Sequence, residues 1–258
     1  IDYSTTGEKA NNFFNLENKY VSIQDTFQDI PGSPIAYWLS EQVLLNFKEN
    51  KSLSKYAEPK QGLATGENDK FLKLWFEVQI NNIGFKIQSN IESITSNKKW
   101  FPTRKGGTYR KWYGNNEYVV DWGNDGYNLK NFKDKNGKLR SVIRNPQYYF
   151  KKGMTWSTIS NSNISFRVHQ NSIFETKGSV LFTIDETNFY EIFGFVNSKV
   201  TMKSLEALSP TLDFHEGPIG KIAYKPISNN HIEKLVRQSI QLSKTDWDSF
   251  ETSWDFEN

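Results

Sequence analysis

Cations and aromatic rings alternate between positions 98 and 113 of the sequence, and these residue types can bind nucleic acid. Lysine and arginine bind phosphate oxygens, and arginine can also donate two hydrogen bonds to a guanine edge in the major groove. Tryptophan, tyrosine and phenylalanine rings can stack on bases. The pattern predicts a surface that binds DNA, and the residues first expected to contact it are Arg104, Lys105, Arg110 and Lys111.

Charge is distributed unevenly along the 258 residues. The chain has 32 lysines and arginines and 29 aspartates and glutamates, a formal net charge of +3. Residues 98–152 contain 14 of these cations and four of the carboxylates, so this stretch carries +10 and the remainder −7. A basic island of this kind favours a polyanion such as double-stranded DNA, although a solvated loop surface is the alternative. Lys138, Arg140 and Arg144 are therefore the next expected DNA contacts.

The sequence does not indicate a catalytic, metal or cofactor site in this chain. It has no cysteine, and His169, His215 and His231 are too far apart for a helical metal pair. Neither a phosphate-binding loop nor a nucleophile elbow is present. Asp185 and Glu186 could act as an acid–base pair, but a structural role is favoured. No apolar run reaches the roughly 18 residues of a membrane span, so no membrane partner is expected.

One short motif resembles a catalytic loop. Adenine methyltransferases hold the target base with Asn-Pro-Pro-Tyr, and residues 145–148 read Asn-Pro-Gln-Tyr. Gln147 replaces the proline that stiffens that loop, and the segment lies in the basic region rather than after a central strand. We interpret the match as accidental.

The pattern of apolar residues predicts a mixed fold. Strands are expected at residues 71–80, 118–122, 164–168, 179–184 and 219–227, and helices at about 33–47, 187–208 and from Asn230 onward. Turn-forming pairs such as Gly106-Gly107 and Asn136-Gly137 place the basic charge on loops. Strands and helices do not alternate strictly. The expected class is α+β, with a mostly antiparallel mixed sheet, flanking helices and long basic loops.

Residues 61–71, Q-G-L-A-T-G-E-N-D-K-F, resemble a motif of the target recognition domain of adenine-specific DNA methyltransferases of the type IIG and TaqI-like group, G-x-x-T-G-x-N-x-x-F. Thr65 and Asn68 occupy its polar positions. Further blocks in the same order resemble the PglX methyltransferases of BREX phage-defence systems, at residues 30–47, 99–102, 110–122, 136–146, 148–157 and 246–256. The resemblance covers most of the chain.

The resemblance implies that the chain is the DNA target recognition segment of a larger cytoplasmic methyltransferase. Residues 1–32 would then be a connector from the catalytic domain, residues 33–245 the recognition domain, and residues 246–258 the start of a C-terminal region. The catalytic domain would hold S-adenosylmethionine, which this chain is not expected to bind, and would methylate adenine N6. Other defence-system proteins would be further partners.

Several roles stay open at this stage. Thr65 and Asn68 either contact bases or cap a local turn. Trp156 and Ser157 could both face the DNA groove, and the alternative for Trp156 is a position in the core. For the whole chain, a secreted carbohydrate-binding module is the alternative, because the eight tryptophans could stack on sugars. An independent enzyme that uses scattered carboxylates is the third possibility.

Overall fold

The computed structural model describes residues 5–13, 21–160, 163–211, 213–227 and 229–256. In these ranges the helices are α1 (Thr6–Phe13), α2 (Glu41–Glu49), α3 (Asn68–Phe71), α4 (Asn90–Thr95), α5 (Gly123–Lys130), α6 (Phe189–Val196), α7 (Lys199–Leu208), α8 (Glu216–Lys221) and α9 (Asn230–Asp248). The strands are β1 (Lys51–Ser52), β2 (Ala57–Lys60), β3 (Leu72–Leu74), β4 (Trp100–Arg104), β5 (Tyr118–Asp121), β6 (Gly153–Trp156), β7 (Phe166–His169), β8 (Ile173–Phe174), β9 (Val180–Thr183) and β10 (Ala223–Tyr224).

The described strands form two four-stranded sheets and one two-stranded ladder. The first sheet has the order β2-β9-β6-β7 and is antiparallel throughout. The second has the order β3-β5-β4-β8, in which only β4 and β8 run parallel. The short β1 pairs antiparallel with β10. The predicted α+β class with mostly antiparallel strands is therefore confirmed.

The largest core cluster lies between the first sheet and the helices that follow it. Trp156 and Phe166, opposite each other in the register of β6 and β7, have no exposed surface. Ile192 and Phe193 of α6 pack against them together with Ile219 of α8. Full burial of each such side chain contributes about 2 kcal/mol or more to folding, so this cluster fixes how α6 and α8 cover the sheet.

A second cluster joins the two sheets. Phe101 of β4 and Phe174 of β8 pack with Phe182 of β9. Trp122, which directly follows β5, contacts the same cluster and has no exposed surface. The basic segment therefore contains two buried strands, β4 and β5, which support its loops.

Three predicted elements begin, end or break at other residues in the structure. Ser33 has a left-handed backbone (φ 47°) instead of the extended backbone typical of a helix N-cap, and α2 starts only at Glu41. The strand expected at 71–80 ends at Leu74, because the Glu77 carboxylate accepts the Leu74 N–H (2.7 Å) and a helical turn follows. The helix expected at 187–208 is broken at Asn197.

The strand expected at 219–227 is mostly helical. Residues 216–221 form α8, and only Ala223 and Tyr224 pair, with the two residues of β1. Pro226 follows, which lacks the N–H that a longer ladder would require. By contrast, β5, β7 and β9 lie within two residues of their predicted positions. The last helix is also confirmed, although Asn229 rather than Asn230 caps it, by accepting the N–H of His231.

The N-terminal segment makes apolar contacts with the rest of the fold. Phe27 and Ile30 are buried against Phe47 of α2, Ala207 of α7 and Ala223 of β10. The interpretation of residues 1–32 as a connector stays a prediction, and residues 1–4 and 14–20 of that segment lie outside the described residues.

Candidate nucleic-acid interface

Six of the seven cations predicted to contact DNA lie on two loops of the basic segment. We call residues 105–117, between β4 and β5, the first loop, and residues 131–147, after α5, the second loop. Residues 130–144 carry six cations and one carboxylate, Asp134. The first loop carries three cations, Lys105, Arg110 and Lys111.

The second loop is a hairpin that exposes lysines. Lys133 pairs with Leu139 across it. The Asp134 carboxylate accepts the backbone N–H groups of Asn136 (2.8 Å) and Lys138 (2.9 Å), which closes the turn at Gly137 (φ +81°). The Asp134 carboxylate therefore bonds the backbone of its own turn and pairs with none of the hairpin lysines. The exposed side chains of Lys133, Lys135 and Lys138 form no ion pair with any described residue.

Arg140 connects the second loop to the motif at residues 61–71. Its Nη1 lies 3.1 Å from Glu67 Oε2, and its Nη2 donates to the Gly66 carbonyl (3.1 Å). The bridge between Ala64 and Val142 joins the same two segments through the backbone. The structure therefore brings Thr65, Asn68 and Arg140 together, with Lys138 on the adjoining hairpin.

Thr65 and Asn68 hold each other in place. Thr65 is buried and its hydroxyl donates to Asn68 Oδ1 (2.6 Å), at the start of α3. Between them, Gly66 has φ +75°, and a Cβ there would lie 2.6 Å from the Arg140 carbonyl oxygen. The bond between Thr65 and Asn68 is local, as the turn-capping alternative requires, while the exposed position of Asn68 leaves its side chain at the protein surface.

The Asn-Pro-Gln-Tyr segment is a structural turn. Asn145 has a left-handed backbone (φ 51°), and its Nδ2 donates to the Gln61 carbonyl (2.9 Å). The Tyr148 hydroxyl donates to the Glu58 carboxylate. Arg144, directly before this turn, is half-buried, and its carbonyl accepts the Tyr149 hydroxyl (3.0 Å). These bonds use the Asn145 amide for folding, consistent with an accidental match.

The cations of the first loop contact protein groups. Arg110 Nη1 lies 3.0 Å from Asp246 Oδ2, and its guanidinium lies 5.0 Å from the ring centre of Trp247. Lys111 Nζ donates to the Asn197 carbonyl (2.7 Å), at the break between α6 and α7. Lys105 Nζ lies 4.4 Å above the Tyr118 ring. Arg110 and Lys111 therefore attach the first loop to the helices, which a reading of charge alone does not anticipate.

Three other predicted site residues are buried. Arg104 is the last residue of β4 and is 5% exposed, so it is not a loop residue. Trp156 has no exposed surface and its Nε1 donates to the Phe214 carbonyl (2.8 Å), so its position supports the core alternative. The Ser157 hydroxyl donates to the Gly107 carbonyl (2.8 Å) and accepts a bond from Arg167 (3.2 Å). Ser157 thus supports the first loop from below.

Lys133 and Lys135 share the exposed hairpin of Lys138 but are not among the predicted DNA contacts. The signal was present, because the Asn136-Gly137 turn predicts that the cations on either side of it project from a hairpin. Arg167 was also missed, and it lies outside the basic segment at a buried position of β7.

No group of three or more potential metal ligands occurs among the described residues. The Asp185 carboxylate accepts the hydroxyl and the N–H of Thr187, and these bonds lower its pKa, which supports the structural role for this residue. In the ranges that the structure covers, no helix has the length and apolar character to cross a membrane.

The tryptophans that suggested sugar binding are mostly covered. Trp122 and Trp156 have no exposed surface, Trp100 and Trp247 are buried, and Trp38 alone of the eight is exposed, at 42%. A sugar-binding surface requires accessible rings, so these positions remove the observation on which the carbohydrate-binding alternative depended.

Two curated relatives match nearly the whole chain, and no family model matches it. The chain is 36% identical over 99% of its length to the adenine-specific methyltransferase PglX of Lacticaseibacillus casei (strain Zhang). It is 38% identical over 96% of its length to the adenine-specific methyltransferase BrxX of Escherichia coli O9:H4 (strain HS). It spans only 22% and 20% of the lengths of these relatives. The resemblance to PglX-type adenine-specific methyltransferases of BREX systems is therefore confirmed, over a segment of about one fifth of the relatives.

Proposed function

We propose that this chain recognises the DNA target of an adenine-specific DNA methyltransferase of a BREX-type phage-defence system. The chain binds duplex DNA and positions it so that a catalytic domain outside this segment can transfer a methyl group from S-adenosylmethionine to N6 of a flipped adenine. The other proteins of the defence system are its further partners. The similarity to PglX and BrxX supports this function.

The observation that carries DNA binding is the exposed hairpin of the second loop. Lys133, Lys135 and Lys138 have no carboxylate partner in the described part of the chain, so they can neutralise phosphates without first breaking an ion pair. Asn68 and Arg140 lie beside this hairpin and have the side chains that read adenine and guanine edges. In this proposal the lysines position the duplex, and Asn68 and Arg140 read it.

Apart from Arg104, which is buried at the end of β4, the remaining predicted residues have supporting roles in this proposal. Lys105 contacts the backbone of DNA from the first loop, and Arg110 and Lys111 fix that loop to the helices. Thr65, Arg144, Trp156 and Ser157 shape the surface from beneath.

Anisotropy of a labelled random-sequence duplex, measured across a salt series, tests the proposal. We expect changing Lys133, Lys135 and Lys138 together to alanine to weaken binding and to flatten the slope of log K against log salt by about 0.9 for each lost phosphate contact. The matched control changes Lys221, Lys225 and Lys234 to alanine, three exposed lysines outside the basic segment. Equal losses in both variants, or no salt-dependent binding by the unmodified chain, would contradict the proposal.

A further inference from the structure

A cavity of about 1170 Å³ lies on the side of the fold covered by α9. Pro102 and Arg104 of β4 and Val168 of β7 contribute to one wall. Lys244 of α9 and Trp254 in the segment that follows it also line the cavity. Its volume is slightly above the roughly 300–1,000 Å³ that is typical of small-molecule and cofactor sites.

Arg104 places a buried cation at this cavity. The residue is 5% exposed, and neither Nε nor Nη1 has a hydrogen-bond partner among the described residues. Burial lowers the pKa of its guanidinium to about 10, so the group is still charged at neutral pH. A buried charge without a partner is unfavourable, so an anion that binds this guanidinium would remove an energetic cost.

No carboxylate in the described ranges compensates Arg104. The two acidic residues on the cavity wall, Asp248 and Asp255, both contact Lys244 Nζ. Although burial opposes the charge of Lys244, its bonds to these carboxylates raise its pKa. Arg167, also buried, adds a second positive charge near Arg104. Burial lowers the pKa of Arg167, and repulsion from the Arg104 charge lowers it further. The interior beside the cavity is therefore positive and suits an anion.

The rest of the wall suits a planar ring with polar edges. The half-buried rings of Tyr113, Tyr190 and Trp254 line the cavity, as does Phe189, which is only 2% exposed. Asn116 is 2% exposed, and its Oδ1 has no partner in the part of the chain that the structure describes. A carboxamide can bond a base edge, and aromatic rings can stack on a base.

We propose that this cavity binds a nucleotide, with the phosphate on Arg104 and the base between the aromatic side chains near Asn116. At the rim, Lys152 lines the cavity and its Nζ lies 4.0 Å from the Phe189 ring centre and 4.6 Å from that of Tyr190, where it can also approach the phosphate. A free mononucleotide and an unpaired nucleotide of a DNA strand share this chemistry. The site is separate from the second loop and does not depend on the proposed duplex binding.

Calorimetric titration of the chain with adenosine 5′-monophosphate tests the proposal, with adenosine and inorganic phosphate as comparison ligands. We expect one saturable site for the nucleotide and binding of adenosine weaker by about tenfold or more, because adenosine lacks the group that bonds Arg104. Arg104→Met should weaken nucleotide binding by a similar factor and bring it to the level of adenosine.

The controls separate binding from folding. Arg104→Met removes an uncompensated buried charge, so its thermal midpoint should not fall below that of the unmodified chain. If that variant does not fold, Lys152→Ala and Lys151→Ala replace it, because both side chains are exposed but only Lys152 lines the cavity. Lys152→Ala should weaken nucleotide binding and Lys151→Ala should not.

A single-stranded oligonucleotide and a duplex of the same sequence identify the source of the nucleotide. Binding of the single strand but not of the duplex, lost in Arg104→Met, would assign the site to a DNA strand. Binding of the mononucleotide without binding of the single strand would assign it to a free ligand. The proposal is overturned if neither the mononucleotide, at millimolar concentration, nor the single strand binds the chain. It is also overturned if both bind Arg104→Met as well as they bind the unmodified chain. If the variant with Lys133, Lys135 and Lys138 changed to alanine loses duplex binding but still binds the nucleotide, the proposed function and this site are separate, and the nucleotide site is supported.

Discussion

Arg140 Nη1 lies 3.1 Å from Glu67 Oε2, and this ion pair joins two parts of the sequence that are 73 positions apart. Both side chains are 44% exposed, so the pair lies at the surface. It places the most basic loop of the chain directly against the Thr-Gly-x-Asn motif. A ligand that binds Arg140 must therefore compete with Glu67 or share the guanidinium with it.

Glu67→Gln should strengthen DNA binding. The substitution removes the carboxylate that neutralises Arg140 and leaves the side-chain size unchanged. We expect higher duplex affinity at low salt and a slope of log K against log salt that is steeper by up to about 0.9, because one further cation is free to displace counterions from the duplex. Glu233→Gln removes the partner of Arg237 on α9 and should change neither quantity. Anisotropy across a salt series measures both, and an unchanged affinity and slope in Glu67→Gln would show that Arg140 does not contact the duplex.

Gly66→Ala and Gly137→Ala should differ in their cost to folding. Both glycines have left-handed backbones, φ +75° and +81°, which cost an alanine about 1–2 kcal/mol. No atom lies within 4 Å of a Cβ at Gly137, whereas a Cβ at Gly66 would meet the Arg140 carbonyl at 2.6 Å. Gly66→Ala should therefore lower the free energy of unfolding by about 3 kcal/mol, once the steric contact is added. Urea denaturation of both variants measures the difference, and equal losses would contradict the close approach of the two segments.

The sequence predicts the elements that local pattern determines. The stripe of Ile232, Val236 and Ile240 defines α9, and the apolar run before Asp121 defines β5. The end of β3 was not predictable, because the alternating pattern continues to Ile80 while the Glu77 side chain takes the N–H of Leu74. Periodicity records which residues could face a core and not which backbone groups find a partner.

The candidate site was predictable as a charged region and not as individual contacts. Charge counting finds the segment 98–152 but cannot separate Lys138, which is exposed, from Lys111, whose partner Asn197 is 86 positions away. The partner of Arg110 lies 136 positions away in α9. Such pairings depend on the tertiary fold, so cations that look alike in the sequence have different roles in the structure.

Arg110 and Asp246 allow a direct test of the role of the first loop. We expect Arg110→Gln and Asp246→Asn each to destabilise the fold only slightly, with a coupling energy of about 0.5 kcal/mol, because Asp246 is 60% exposed. If Arg110 only attaches the loop to α9, both variants should bind duplex DNA alike. A loss of affinity in Arg110→Gln that Asp246→Asn does not share would instead identify Arg110 as a DNA contact. A double-mutant cycle in urea and anisotropy of the same proteins give the two measurements.

Glu175 should make the stability of the fold depend on pH. The residue is 6% exposed, and its Oε1 has no hydrogen-bond partner in the described ranges of the chain. Burial raises the pKa of its carboxyl from 4.5 to about 7, with Lys105 opposing the shift. The folded chain therefore holds this proton more tightly than the unfolded chain, so the contribution of Glu175 to stability is fully present below pH 4.5 and is lost as the pH rises through 7.

Glu175→Gln should isolate this effect. The free energy of unfolding of the variant, relative to the unmodified chain, should rise between pH 4.5 and 7 and level off above it, by about 3 kcal/mol at most. The comparison is needed because burial also lowers the pKa of His169, which acts in the opposite direction in both proteins: its stabilising contribution is lost as the pH falls. Glu206→Gln, at an exposed position of α7, provides the control. Urea denaturation across this pH range is the measurement, and a difference independent of pH would mean that Glu175 is ionised in the folded chain from pH 4.5 upward.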